Sequence, residues 1–160
     1  MALKVGYTAP DFTLLNIKAE KISLSDFKEE KNVVILFFPF ANSSTCEKEL
    51  CSTRDGLSQY EELDAQILAI SVDSHFALKM WAEKHKFNFP LLSDFNKEVS
   101  KSYDTLYDIF SPGKYDYAGV SKRSAFVVDK KGVIQYAEVL ESSGSEPNYD
   151  AIKVALQKLS

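Results

Sequence analysis

The run NVVILFFPF, Asn32 to Phe40, constrains this chain more than any other stretch. It has no polar alternation, so it cannot be a strand with one wet face. A continuous β-branched and aromatic run of this kind is a strand buried on both faces, in the middle of a parallel or mixed sheet. Pro39 ends it, because proline supplies no N–H to a ladder. A second run, AQILAISVD, reads the same way. Two such strands need helices above and below them.

The rest of the chain supplies those helices. DFTLLN and KISLSDF read as short strands joined by a turn, with polar residues alternating outward. Ser44 to Tyr60 carries helix signals. Ser44-Thr45-Cys46-Glu47 fits a capping box, with Ser44 as N-cap and Glu47 at the third helical position. SHFALKMWAEKH is an amphipathic helix opened by Asp73 or Ser74, with Phe76 and Met80 on its apolar face, joined by Leu78 and Trp81. FPLLSD is a short extended segment and KEVSKSYD a short helix. Thr105 to Lys122, with its Pro-Gly and many aromatics, reads as a long ordered loop. SAFVVDKKGVIQYAEVL is a hairpin. PNYDAIKVALQKL closes the chain as an amphipathic helix with Ile152, Ala155, Leu156 and Leu159 apolar.

The order β-β-β-α-β-α-β-α-β-β-α predicts one α/β domain spanning 1–160, a thioredoxin-like fold with a central mixed β-sheet flanked by helices. Neither repeats nor linkers break it. The net charge of −4 and the lack of a basic run interleaved with aromatics argue against nucleic acid as a partner. No apolar run approaches the ~20 residues that span a bilayer, so no membrane association is expected. The segment MALKVGYTAPDF lacks a secretory h-region, and a cytoplasmic location is the expectation.

Both cysteines of the chain, Cys46 and Cys51, lie in FFPFANSSTCEKELC. Their spacing is not Cys-x-x-Cys, which removes the usual dithiol motif and half of a zinc site. On a helix, positions five apart point about 140° away from each other, outside disulfide geometry. Cys46 sits in the first turn of a helix that begins where a buried strand ends. Free backbone N–H groups and the positive end of the helix dipole meet there, and both favour a thiolate. Cys51, further along the helix, is poorly placed for activation and well placed for burial. A reactive thiolate near a second thiol suggests oxidation to a sulfenic acid, then condensation to a disulfide once the helix frays.

FFPFANSSTCEKE resembles the Pro-x-x-x-Thr/Ser-x-x-Cys motif of the peroxiredoxins, with Pro39, Ser43 and Cys46 in register. The likeness extends through VGYTAPDFTL, ISLSDFKEEKNVVILFFPFA and KRSAFVVDKKGVI, nearly the whole chain. The second cysteine five residues on is similar to the Q-type, or bacterioferritin-comigratory-protein, branch. The resemblance implies a thiol peroxidase for hydrogen peroxide and alkyl hydroperoxides, without metal or organic cofactor. Cys46 would be the peroxidatic nucleophile and Cys51 the resolving thiol. Arg123 would hold the thiolate and polarise the peroxide, and Ser43 would hydrogen-bond a peroxide oxygen. Pro39 would shield the thiolate from water, and Glu49 would orient arginines, with Arg54 as its ion-pair partner. Thioredoxin or a similar dithiol would recycle the disulfide, in a monomer or weak homodimer.

Ser44 and Thr45 depart from the branch, which usually carries proline and a small or apolar residue there, and the first helical turn is expected to be looser for it. The 105–119 loop is longer and more aromatic than the branch implies, and is expected to cover the site or form a subunit contact. Other readings stay open at this point. Cys51 is structural in a one-cysteine peroxidase. The chain is a disulfide reductase of thioredoxin type, which the missing Cys-x-x-Cys disfavours. Or Cys46 oxidation remodels a docking surface in a non-enzymatic sensor. His75 and His85 are expected to be exposed helix residues without a role.

Overall fold

The computed structural model describes residues 3–159; Met1, Ala2 and Ser160, the ends of the expected 1–160 span, lie outside the described residues. The run at Asn32 forms the centre of the sheet. β3 (Asn32–Phe37) is buried at every position, and it is flanked by β4 (Ala65–Ser71) in parallel and by β6 (Ser124–Val128) antiparallel. β1 (Thr13–Leu15), β2 (Lys21–Ser23), β5 (Leu91–Ser93) and β7 (Ile134–Val139) complete a mixed sheet of order β2-β1-β5-β4-β3-β6-β7. The β6–β7 hairpin turns at Gly132, whose φ of 85° suits a residue without a Cβ.

Alternate residues of β3 feed opposite cores. Val34 and Leu36 face α1 (Ser44–Asp55), α2 (Leu57–Glu62), α3 (His75–His85) and α5 (Tyr149–Gln157), where Leu50, Tyr60, Leu78, Trp81, Ile152 and Leu156 are buried. Val33, Ile35 and Phe37 face the other way, onto Phe12, Leu24, Phe126 and the Val99 and Tyr103 side chains at α4 (Glu98–Ser102). The period of two along an extended strand produces this division.

Three local expectations differ. The helix expected over Ser44 to Tyr60 is two helices, separated at Gly56. The capping box at Ser44 does not form: Ser43 is the N-cap, and its carbonyl accepts the Glu47 N–H at 2.9 Å. This moves Cys46 to the third helical position. On α3 the buried side chains are Leu78, Trp81 and Ala82, whereas Phe76 and Met80 are 71% and 76% exposed. The helix carries two apolar stripes of i, i+4 type, and β4 and β5 accept only one. Ser74 caps it, its hydroxyl accepting the Ala77 N–H.

The assignment of the buried stripe is testable by truncation. Leu78→Ala should lower unfolding free energy by about 2–5 kcal/mol, as for a core leucine. Met80→Ala should change it by less than about 0.5 kcal/mol. Urea midpoints at one pH distinguish them, and equal losses would reverse the assignment.

Candidate active site

The site begins with sheet register. Phe37, the last residue of β3, pairs with Ser124, the first of β6. The chain leaving β3 and the chain entering β6 are therefore neighbours. Residues 38–43 lead from one into α1, and Arg123 precedes the other. Cys46 and Arg123, far apart in sequence, meet at this carboxyl end of β3.

The loop into α1 is held from β4. The Asp73 carboxylate accepts the Ala41 N–H at 2.7 Å and the Ser71 hydroxyl at 2.7 Å. Asn42 sits in the left-handed region with φ 69°, a conformation that asparagine tolerates better than most side chains. The chain then turns into α1, and Cys46 faces inward, fully buried.

Arg123 is 1% exposed and its guanidinium is almost fully committed. Nη1 and Nη2 each donate to Cys46 Sγ at 3.3 Å. Nη1 also donates to Glu49 Oε1 at 2.7 Å, and Nη2 to the Ser143 carbonyl at 2.8 Å. The four terminal hydrogens thus divide evenly, two toward the sulfur and two into supports behind. A planar fork with fixed donor directions can do this; an ammonium cannot. Glu49 has no exposed surface, and its second oxygen finds no hydrogen-bond partner. Burial pushes its carboxyl up to about 7, against the opposing pull of the Arg123 charge. Burial works against the Arg123 charge, but Glu49 and Cys46 outweigh it and hold the guanidinium protonated.

A small cleft of about 160 Å³ opens beside Arg123, with Pro39, Phe40, Ser43 and Phe110 among its walls. Ser43 donates its hydroxyl hydrogen to the Phe40 carbonyl at 2.9 Å. Toward the cleft it therefore offers lone pairs, as an acceptor. Phe110 packs edge-on against Phe40 with centroids 5.6 Å apart, and Tyr117 does the same at 5.9 Å. The long aromatic loop thus lies along the rim of the cleft.

Five of the expected site residues, Pro39, Ser43, Cys46, Glu49 and Arg123, converge here. Cys51 does not. α1 is continuous through both cysteines, which are free thiols, and Cys51 lies against α3, with Sγ 4.0 Å from His85 Nδ1. Arg54 is not the partner of Glu49: it donates to Asp55 Oδ1 and to the His85 carbonyl at 2.6 Å. Five residues of separation put Glu49 and Arg54 on different faces of α1, one buried and one toward α3. His85 is not the exposed residue expected, since its side chain is 17% exposed and lies 2.7 Å from Glu47. Sequence reasoning also missed the Ser143 carbonyl, and a main-chain acceptor in a loop leaves no side-chain signature to find.

The model of the AhpC/TSA family matches residues 5–137. The chain belongs to that family. It is 41% identical over 139 residues to alkyl hydroperoxide reductase E of Mycobacterium tuberculosis, covering 86% of both chains. A chloroplastic 2-cysteine peroxiredoxin of Chattonella marina var. antiqua is 32% identical over 149 residues, 87% of this chain and 72% of that one. Among solved structures, peroxidoxin BcpB of M. tuberculosis superposes with a TM-score of 0.85 over 99% of each chain, at 27% identity. A peroxiredoxin-like protein from Aquifex aeolicus reaches 0.88 at 24% identity over 100% of this chain and 90% of that one, a likeness of fold. As a member of the AhpC/TSA family this protein is a peroxiredoxin with thioredoxin-like architecture, resembling the Q-type branch, and thiol-dependent peroxidase activity is what its relatives support.

The buried Glu49 makes stability depend on pH. Its carboxyl rises from 4.5 to about 7 on folding, so between those values the folded protein holds a proton that the unfolded chain releases. Its contribution is therefore complete below about 4.5 and lost as the pH rises through about 7. Urea midpoints of wild type and Glu49→Gln, measured across this window, should show wild type losing ground to the variant with rising pH. A constant difference would place the carboxyl's titration outside the window.

Proposed function

We propose that this peroxiredoxin reduces hydrogen peroxide and alkyl hydroperoxides at Cys46, resolves the product with Cys51, and is recycled by thioredoxin or a similar dithiol. The observation that carries the reading is the pair of Arg123 N–H donors on Cys46 Sγ at 3.3 Å each. A guanidinium at that distance aims two fixed donors at the reacting sulfur, and the third position of α1 adds the free backbone N–H groups of a helix start.

The Cys46 thiolate attacks the terminal oxygen of the hydroperoxide along the O–O bond. The S–O bond forms, the O–O bond breaks, and the departing alkoxide or hydroxide takes a proton. Sulfur loses two electrons and becomes a sulfenic acid. Negative charge moves from sulfur to the departing oxygen, so donors that span both atoms act on the transition state. Arg123 is placed for this because Glu49 and the Ser143 carbonyl hold it from behind. Ser43, its own hydrogen committed to Phe40, accepts the O–H of the incoming peroxide. Pro39 and Phe40 form walls of the small cleft, and the proximity of attacking and departing atoms supplies the remainder.

Cys51 then condenses with the sulfenic acid. The disulfide cannot form on an intact α1, where the two positions diverge by about 140°. The helix must unwind between them, and the substitution of Ser44 and Thr45 for the branch's proline-containing turn lowers that barrier. The two-cysteine cycle suits a cytoplasmic setting, where dithiol carriers remain reduced.

One equivalent of hydrogen peroxide should remove both thiols and two hydrogens from wild type, as read by intact mass. Cys51→Ser should stop at a sulfenic acid on Cys46, and Cys46→Ser should not react. A wild type that also stops at the sulfenic acid would make this a one-cysteine peroxidase. Arg123→Met should slow the peroxide step by about 10²–10³-fold, the usual effect of deleting a preorganised donor; an unchanged rate would remove the guanidinium from the mechanism.

A further inference from the structure

The surroundings of Cys51 are more specific than a buried thiol requires. Its sulfur lies 4.0 Å from Nδ1 of His85, and Nε2 of the same ring lies 2.7 Å from Glu47 Oε1. The second contact is close but bent, since Nε2 makes no aligned hydrogen bond. The tautomer with the ring proton on Nε2, toward the carboxylate, leaves Nδ1 as an acceptor toward the thiol. Thiol, imidazole and carboxylate in this order are the parts of an activated nucleophile.

The ring is also held in place. His85 stacks on Phe87 with centroids 5.4 Å apart and meets Trp81 edge-on at 6.1 Å. The Arg54 guanidinium donates to the His85 carbonyl at 2.6 Å, and the Asn88 side chain donates to the Arg54 carbonyl at 3.4 Å. These contacts tie the second half of α1, which carries Cys51, to the end of α3. When the helix unwinds toward Cys46, Cys51 stays beside His85. The charged groups facing this sulfur and ring are Glu47, Arg54 and Asp55 of α1, while α3 and the segment after it contribute Trp81 and Phe87.

A base is needed there. Burial raises the Cys51 thiol, with Glu47 and Asp55 adding to the rise and Arg54 opposing it. The thiol form does not attack a sulfenic acid; the thiolate does.

We propose that His85, oriented by Glu47, is the general base that activates Cys51 in the resolving step, an inference that rests on Cys51 being the resolving thiol. Nδ1 takes the proton from Cys51 Sγ. The thiolate attacks Cys46 Sγ, the S–S bond forms and the S–O bond of the sulfenic acid breaks. The departing hydroxide takes the proton back from His85 and leaves as water. The imidazole is unchanged overall, and no further oxidant enters.

The test separates two rates by rapid-quench intact mass at several pH values. Gain of one oxygen reports the peroxide step, and loss of that oxygen with two hydrogens reports resolution. His85→Phe keeps a ring between Trp81 and Phe87 and should slow resolution about 10²-fold near neutral pH, with the peroxide step at its wild-type rate. The deficit should narrow as the pH is raised into the alkaline range, where the Cys51 thiol ionises without help. Glu47→Gln should slow the same step by a smaller factor. Equal slowing of both steps in His85→Phe, a deficit independent of pH, or an unimpaired variant would each overturn the role of His85. A wild type that never passes the sulfenic stage would instead overturn the two-cysteine reading beneath it.

Discussion

A guanidinium buried to 1% exposure against a buried sulfur is costly to assemble, and the rest of this structure is arranged to make it possible. Isolated in a low-dielectric interior, the Arg123 charge would be prohibitive. Glu49 and the Ser143 carbonyl satisfy it from one side, and Cys46 from the other. The group is drawn from three parts of the chain: Arg123 from the entry to β6, Cys46 and Glu49 from α1, and Ser143 from the loop before α5. The β3–β6 register brings these segments together, and the two hydrophobic cores on either face of β3 hold that register. A slip of one residue would turn every side chain of β6 to the opposite face.

The two thiols of α1 live in opposed environments on the same helix. Cys46 looks toward the sheet and Arg123, while Cys51 looks toward the end of α3 and His85. A short helical separation thus holds the two sulfurs apart on different faces of α1. It also means that the chemistry proposed for the pair requires α1 to change shape. The turn after the N-cap, where Ser43 uses its hydroxyl on Phe40 rather than on the helix, lacks a side-chain cap. The opposite half of α1 is anchored through Arg54 and Asn88. Unwinding is therefore expected from the Cys46 end.

Phe40, Phe110 and Tyr117 stand at the mouth of the cleft, with Tyr115 stacked beyond Tyr117 at 5.6 Å. The loop that carries three of these rings has little regular structure; two isolated bridges, Leu106 with Ser121 and Phe110 with Tyr117, fold it back on itself. Phe110 and Tyr117 meet Phe40 edge-on and stack on each other, and Tyr115 stacks on Tyr117 in turn.

Strands and their burial were legible from sequence because a run such as NVVILFFPF has only one way to hide its apolar side chains. The position of Cys46 at a strand-to-helix turn was legible for the same reason, and the family resemblance pointed to Arg123, which meets the sulfur, and to Pro39, Ser43 and Glu49, which lie around Arg123. Helix faces were less so. Phe76 and Met80 make as good an apolar stripe as Leu78 and Trp81, and nothing local chooses between them; only the surface that β4 and β5 present does. The partner of Glu49 was misassigned to Arg54, which is near in sequence, whereas Arg123 is near only in space. The surroundings of Cys51 were only partly in reach: Glu47 precedes it by one helical turn on α1, but His85 comes from the end of α3 and only the packing of the two helices brings it to the sulfur. Sequence by itself determined which strands must be buried and which sulfur sits at a helix start, because strand patterning and helix starts are local. Tertiary structure alone decided which charge meets which sulfur, because that depends on register and packing between elements distant in the chain.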